Sequence, residues 1–209
     1  MKRRNKIIYS QKWYDEEYNE KIYNADKLDY QKLMKFLENS GYKKRLYDVL
    51  DKVNIKPNSK WLEVACHHGK TVFWTAERYP NLNINFFMFD FSTTSIEWIK
   101  RNNPIPEKTV VWRGDIQEIA IKGNLFEDFF DIITCIDVTE HLPVKIYKKG
   151  IKEMYRVLKP GGQLIIMQGI SDIIEHINIR PEKEYVNDFK IAGFKLIKNL
   201  PYRHSLLTK

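Results

Sequence analysis

Four acidic side chains stand where short apolar runs of this sequence finish. Glu63 lies late in the run 60–65, Asp90 follows 84–89, Asp115 follows 109–112, and Asp137 follows 130–136. Carboxylates so placed can accept hydrogen bonds from hydroxyl groups and balance a cationic ligand. Between the first two lies Ala65-Cys66-His67-His68-Gly69-Lys70. There Gly69 can take a backbone conformation that lets a helix begin close to a ligand. Asp90 comes about twenty residues further on, a spacing at which an acidic side chain reaches both hydroxyls of a ribose. A dinucleotide would need a full G-x-G-x-x-G so that backbone could approach its pyrophosphate, and only Gly69 is present. An adenosine-bearing cation without phosphates suits this ring of carboxylates better.

The run Asp137-Val138-Thr139-Glu140-His141 carries three readings. It is a strand end whose polar residues stabilise the next loop. Alternatively, Asp137 or His141 acts as a general base toward a hydroxyl or amine. In the third, Asp137, Glu140 and His141 ligate a divalent ion, for which oxygen ligands suggest Mg²⁺. The sequence places no distal ligand, so the expectation is a site without metal. His67 and His68 either face the site or are satisfied in the core. Trp13, Tyr14, Tyr18 and Tyr23 either close over the site or pack N-terminal helices on the rest of the chain.

The elements that must position these residues follow from periodicity. Leu33, Phe36 and Leu37, then Leu46, Val49, Leu50 and Val53, recur at helical spacing, with Ser40-Gly41 as the break. From Lys60 onward the pattern alternates. Strands are predicted at about 60–65, 84–89, 109–112, 130–136 and 162–168, with helices at about 70–79, 93–102 and 143–158. Continuous apolar strands separated by helices mean a parallel sheet covered on both faces. After a helix at about 181–191, Phe194–Ile197 and Ser205–Thr208 read as an antiparallel hairpin at the sheet edge. The fold class is α/β, a doubly wound, Rossmann-like seven-stranded sheet preceded by N-terminal helices. Residues 1–58 form the helical extension or lid and 59–209 the ligand-binding domain.

Bulk properties set the remaining bounds. At 209 residues, one well-buried core is expected. The apolar runs fall far short of the roughly 20 residues of a membrane span, and no apolar segment follows Lys2-Arg3-Arg4 as a secretory signal requires. A cytoplasmic location without membrane insertion is expected. Cys66 and Cys135 are too few for a disulfide framework. The net charge of +8 is spread over helices that also carry acids, which makes a solvated surface the favoured reading over a polyanion partner.

Four blocks carry a family resemblance: Thr109–Asp115; Phe130-Asp131-Ile132-Ile133; Ile136 through Pro143; and Arg156-Val157-Leu158-Lys159-Pro160-Gly161-Gly162. In order and spacing they resemble the class I S-adenosylmethionine-dependent methyltransferases, over roughly residues 58–209. The resemblance implies that Glu63 and the loop through Ala65, His67 and Gly69 hold the methionine end of S-adenosylmethionine. It implies Asp90 at the ribose, Phe91 beside the adenine, and Asp115 with Ile116 at the adenine edge. Asp137 would sit next to the methyl group, and the product would be S-adenosylhomocysteine. The family's Glu-x-Gly-x-Gly-x-Gly is altered, because Ala65 and His67 replace two glycines. A Cβ restricts the backbone there, so weaker cofactor binding or a different loop path is expected.

The implied reaction is methyl transfer to an O, N or C atom of a small-molecule acceptor. The short segment between the fifth strand and the last helix, with no added domain, supports that acceptor class. An RNA- or protein-directed enzyme is the alternative carried by the charge, and a non-catalytic binding module is the alternative carried by the altered loop.

Overall fold

The computed structural model describes residues 10–18, 29–121, 124–169 and 176–209. Lys2, Arg3, Arg4 and Tyr23 lie outside them. A π-helical turn, Trp13–Tyr18, precedes helices α1 (Tyr30–Asn39) and α2 (Tyr42–Leu50). Asp29 caps α1 by accepting from the Lys32 N–H, and Gly41, at φ +76°, makes the break before α2.

The alternating part runs β1 (Lys60–Val64), α3 (Lys70–Arg78), β2 (Asn85–Asp90), α4 (Thr93–Asn102) and β3 (Thr109–Arg113). Then come a small hairpin of β4 (Ala120–Ile121) and β5 (Asn124–Leu125), β6 (Phe130–Ile136), α5 (Val144–Val157) and β7 (Leu158–Met167). The chain ends with α6 (Glu182–Ile191), β8 (Lys195–Asn199) and β9 (Ser205–Thr208). The β4–β5 hairpin was not expected from periodicity, because two-residue strands have none.

Seven strands form one sheet in the order β3-β2-β1-β6-β7-β9-β8. All pairs from β3 to β7 are parallel, and β9 pairs antiparallel with both β7 and β8. The expected doubly wound sheet with a C-terminal hairpin is therefore present. The fifth main strand begins at Leu158 rather than near 162. Its pairing with β6 slips between Phe130 and Ile132, where Lys159-Pro160-Gly161-Gly162 form an irregular entry.

Strand residues alternate between two cores. Trp61, Phe86, Met88 and Ile132 face α1–α4 with Trp74 and Trp98, whereas Leu62, Val64, Ile133 and Leu164 face α5 and α6 with Met154 and Phe189. Among the described residues no helix is long and apolar enough to cross a membrane.

Candidate active site

Strand order reverses at β1, which leads to β2 on one side and meets β6 on the other. Ligands of open α/β sheets sit at such a point, outside the carboxyl ends of the strands. A cavity of about 260 Å³ opens there, and Glu63, Asp90 and Asp137 reach it from β1, β2 and the end of β6.

The loop after β1 turns through residues in the left-handed region that glycine favours. Ala65, His67 and Gly69 have φ of +53°, +50° and +75°, so each altered position still adopts the left-handed conformation. The cost is local strain of about 1–2 kcal/mol at each non-glycine residue. Two contacts help hold the path. The His67 N–H donates to Asp90 Oδ2 (2.8 Å), and the rings of His67 and His68 meet with their Nδ1 atoms 3.0 Å apart. His68 is buried against the Trp98 ring, whereas His67 lines the cavity. Burial, with His68 and Lys70 nearby, keeps the His67 imidazole neutral well below its ordinary pKa. Gly69 does not line the cavity. It is the N-cap of α3, and a Cβ there would come within 2.8 Å of the Phe73 ring.

Asp90 is buried with both oxygens engaged, Oδ2 by His67 and Oδ1 by the Ser92 N–H (2.9 Å). Burial raises its pKa, while these backbone donors pull it down. Such a carboxylate is fixed in orientation and retains lone pairs for hydroxyl donors. Phe91 and Ile116 also line the cavity. Asp115 does not; its Oδ1 accepts from the Gln117 N–H (2.8 Å) within a turn, the capping behaviour usual for Asp. Tyr14 lines the cavity and meets Phe91 edge-on at 6.3 Å. Its segment is tied down by Asp15, which accepts from Ser92 Oγ (2.7 Å) and the Thr94 N–H (3.2 Å).

Glu63 is buried on the same face as Thr134, whose hydroxyl donates to it. Burial pushes its pKa up to about 8, against the opposing pull of Thr134, Thr71 and Lys70. Lys70 is pushed the other way by burial, with Asp137 and Glu63 favouring its charge. Its Nζ sits 4.3 Å from the centre of the Tyr42 ring, and the Arg45 guanidinium lies 4.5 Å from that centre. Tyr42 and Arg45 belong to α2, and sequence reading gave neither a role in the site. A second cavity of about 390 Å³ shares Tyr42, Lys70, Thr71, Ile136, Asp137 and Gly169 with the first. Asp137, at φ +55°, therefore stands on the wall between two chambers.

Beyond Asp137, a 3-10 turn, Thr139–His141, brings Glu140 inward and His141 to the cavity wall. Glu140 is fully buried, and its Oε1 accepts from the Gly169 N–H (2.7 Å). Burial and the neighbouring Asp137 charge push its pKa up to about 8. His176, missed in the sequence, joins this group with Nε2 4.0 Å from Glu140 Oε1 and its ring 4.8 Å from that of His141. The segment carrying it is held by the Asn178 N–H on Glu140 O (2.9 Å) and by Gln168 Nε2 on Asn178 O (2.9 Å).

Comparison with known proteins agrees with this geometry. Residues 62–162 match the family model described as a methyltransferase domain. Over that stretch the chain is similar to methyltransferase domains, and it has the fold of solved methyltransferases. Over 106 residues, half of this chain and 27% of the relative, it is 32% identical to the mouse tRNA N(3)-cytidine methyltransferase METTL2. Over 118 residues, 56% of this chain and 48% of the relative, it is 30% identical to the ubiquinone/menaquinone biosynthesis C-methyltransferase UbiE of Geotalea daltonii. The chain thus spans less than half the length of these curated relatives. A solved S-adenosylmethionine-dependent methyltransferase from Aquifex aeolicus superposes with a TM-score of 0.62 at 16% identity, covering 87% of this chain and 97% of that one, and shows the same fold.

Proposed function

We propose that this chain binds S-adenosylmethionine in the first cavity and transfers its methyl group to an O, N or C atom of a small-molecule acceptor held in the second. The observation that carries this reading is the shared wall at Asp137, between a chamber edged by Asp90 and Glu63 and a chamber edged by Arg45, Arg203 and His204. In the first chamber Asp90 would take the ribose hydroxyls, Phe91 and Ile116 the adenine, and Glu63 the methionine ammonium. Tyr14 would close the chamber. The sulfonium already activates the methyl carbon, so the chain's contribution is alignment and proton removal. Asp137 on the shared wall and His141 in the first chamber are the groups that would take a proton. The second chamber has the size of a small-molecule pocket, of the order of 300–1,000 Å³.

An RNA-directed reaction is the second reading, supported by the +8 charge and by the tRNA-directed relative. The two separate cleanly. The chain is incubated with methyl-labelled S-adenosylmethionine, together with either a low-mass metabolite extract or bulk tRNA. Label in the low-mass fraction is expected. Label in tRNA, lost steeply with added salt as phosphate contacts are screened, would overturn the small-molecule reading.

A further inference from the structure

One group of side chains borders the cofactor chamber beyond the end of β6, and in it His141 serves as a ligand instead of a base. Glu140, His141 and His176 each offer a ligand atom, and these atoms lie within 4.8 Å of one another. Atoms around one shared ion with bonds of about 2.0–2.2 Å stand roughly 3–4 Å apart, so small side-chain movements would close the set. Two features point to a ligand. First, Glu140 Oε2 is buried and accepts no hydrogen bond among the described residues, although leaving a buried oxygen without a donor is costly. Second, the space is kept open by Gly169. A Cβ there would press on Glu140 Oε1 and come within 3.0 Å of His176 Cε1 and 3.3 Å of Asp137 Oδ1. Three of the four acidic and imidazole groups, Asp137, His141 and His176, also line the cofactor cavity, so open coordination positions would face it.

We propose that Glu140, His141 and His176, with Asp137 at their edge, bind a first-row divalent transition ion. Two imidazoles beside carboxylates favour ions such as Mn²⁺, Fe²⁺, Co²⁺ or Zn²⁺ over the Mg²⁺ that an all-oxygen set would take. Resting on the methyl-transfer reading, the ion narrows the acceptor to a hydroxyl compound that can ligate it through oxygen. Bound there, the hydroxyl gives up its proton more readily. Its oxygen then forms the bond to the methyl carbon. The carbon–sulfur bond breaks with its electron pair retained by sulfur, leaving neutral S-adenosylhomocysteine, and the hydroxyl proton passes to solvent.

The test uses the untagged full chain, stripped with a chelator and titrated with Co²⁺, whose visible absorption reports bound nitrogen and oxygen ligands. One ion per chain is expected, with binding weakened by about tenfold or more in Glu140→Gln and in His176→Asn. Glu140→Gln keeps a carbonyl oxygen for the Gly169 N–H, and thermal melts show whether each variant is folded. Absence of Co²⁺ bands in the wild type, or bands unchanged in a folded Glu140→Gln, would overturn the proposal. The titration needs no cofactor. A chain that takes Co²⁺ but no S-adenosylhomocysteine would sink the methyl-transfer reading alone.

Discussion

The loop after β1 and the turn after β6 are built from similar parts and end in different states. Each contains a non-glycine residue held at positive φ, His67 in one and Asp137 in the other. Each also sets an edge-on histidine pair beside a buried carboxylate. In the first region each oxygen of the Asp90 carboxylate accepts from a backbone donor. In the second, Glu140 has one oxygen bonded and one without a donor among the described residues. The difference separates two tasks. A carboxylate fixed by one donor on each oxygen is preorganised for a ligand's hydroxyls, whereas one with a single oxygen bonded beside two imidazoles is a site that a further ligand completes.

The largest effect that would break this contrast is loss of the fixed carboxylate. Asp90→Ala should weaken S-adenosylhomocysteine binding by about 100-fold, since hydrogen bonds to a charged group contribute about 1.5–3 kcal/mol each. Calorimetry reads the affinity, and a thermal melt checks that the fold survives the loss of the His67 and Ser92 contacts.

Next is Gly169, the close approach that shapes the second region. Gly169→Ala should destabilise the protein by about 1–3 kcal/mol in urea unfolding, the usual cost of overpacking. A neutral result would mean that Glu140 and His176 swing aside freely, and the contrast with the rigid first loop would weaken.

A third prediction concerns Glu63. Its folded pKa, raised to about 8, lies above the unfolded value of 4.5. Its contribution to stability is therefore full below about pH 4.5 and is lost as pH rises through 8. In the ligand-free protein this loss should appear as a falling denaturation midpoint that Glu63→Gln flattens. An ammonium ligand prefers the ionised form. Binding of S-adenosylmethionine near pH 7 should therefore release a proton, read from heats in buffers of different ionisation enthalpy.

The smallest effect is expected at His67→Gly. Relief of left-handed strain, about 1–2 kcal/mol, is offset by the greater unfolded-state freedom of glycine, about 0.5–1 kcal/mol. Stability should rise by no more than about 1.5 kcal/mol, measured by the same unfolding titration.

Much of this arrangement was legible in the sequence because strand ends announce themselves. Apolar runs stop at Glu63, Asp90 and Asp137, and the topology of a parallel sheet brings such ends to one edge. The path of the altered loop was not legible. Substituting His67 for glycine argues against a left-handed backbone, but an Asp90 bond to its N–H outweighs a modest local cost. Asp115 shows the limit of position alone, since its carboxylate is taken by Gln117 within the turn. His176 lies 35 residues beyond His141, with a helix and a strand between them and no periodicity to mark it; only the packing of 176–180 on the ends of β6 and β7 brings it near. Tyr42 and Arg45 read as ordinary helix residues because their role depends on how α2 docks against Lys70.

The central claim, that the chamber at the ends of β1, β2 and β6 holds S-adenosylmethionine, is tested most directly by titrating the chain with S-adenosylhomocysteine in a calorimeter. The account predicts saturable one-to-one binding with a dissociation constant below about 1 mM, within the range usual for enzyme ligands. No binding heat at millimolar ligand, from a chain shown to be folded, would contradict it.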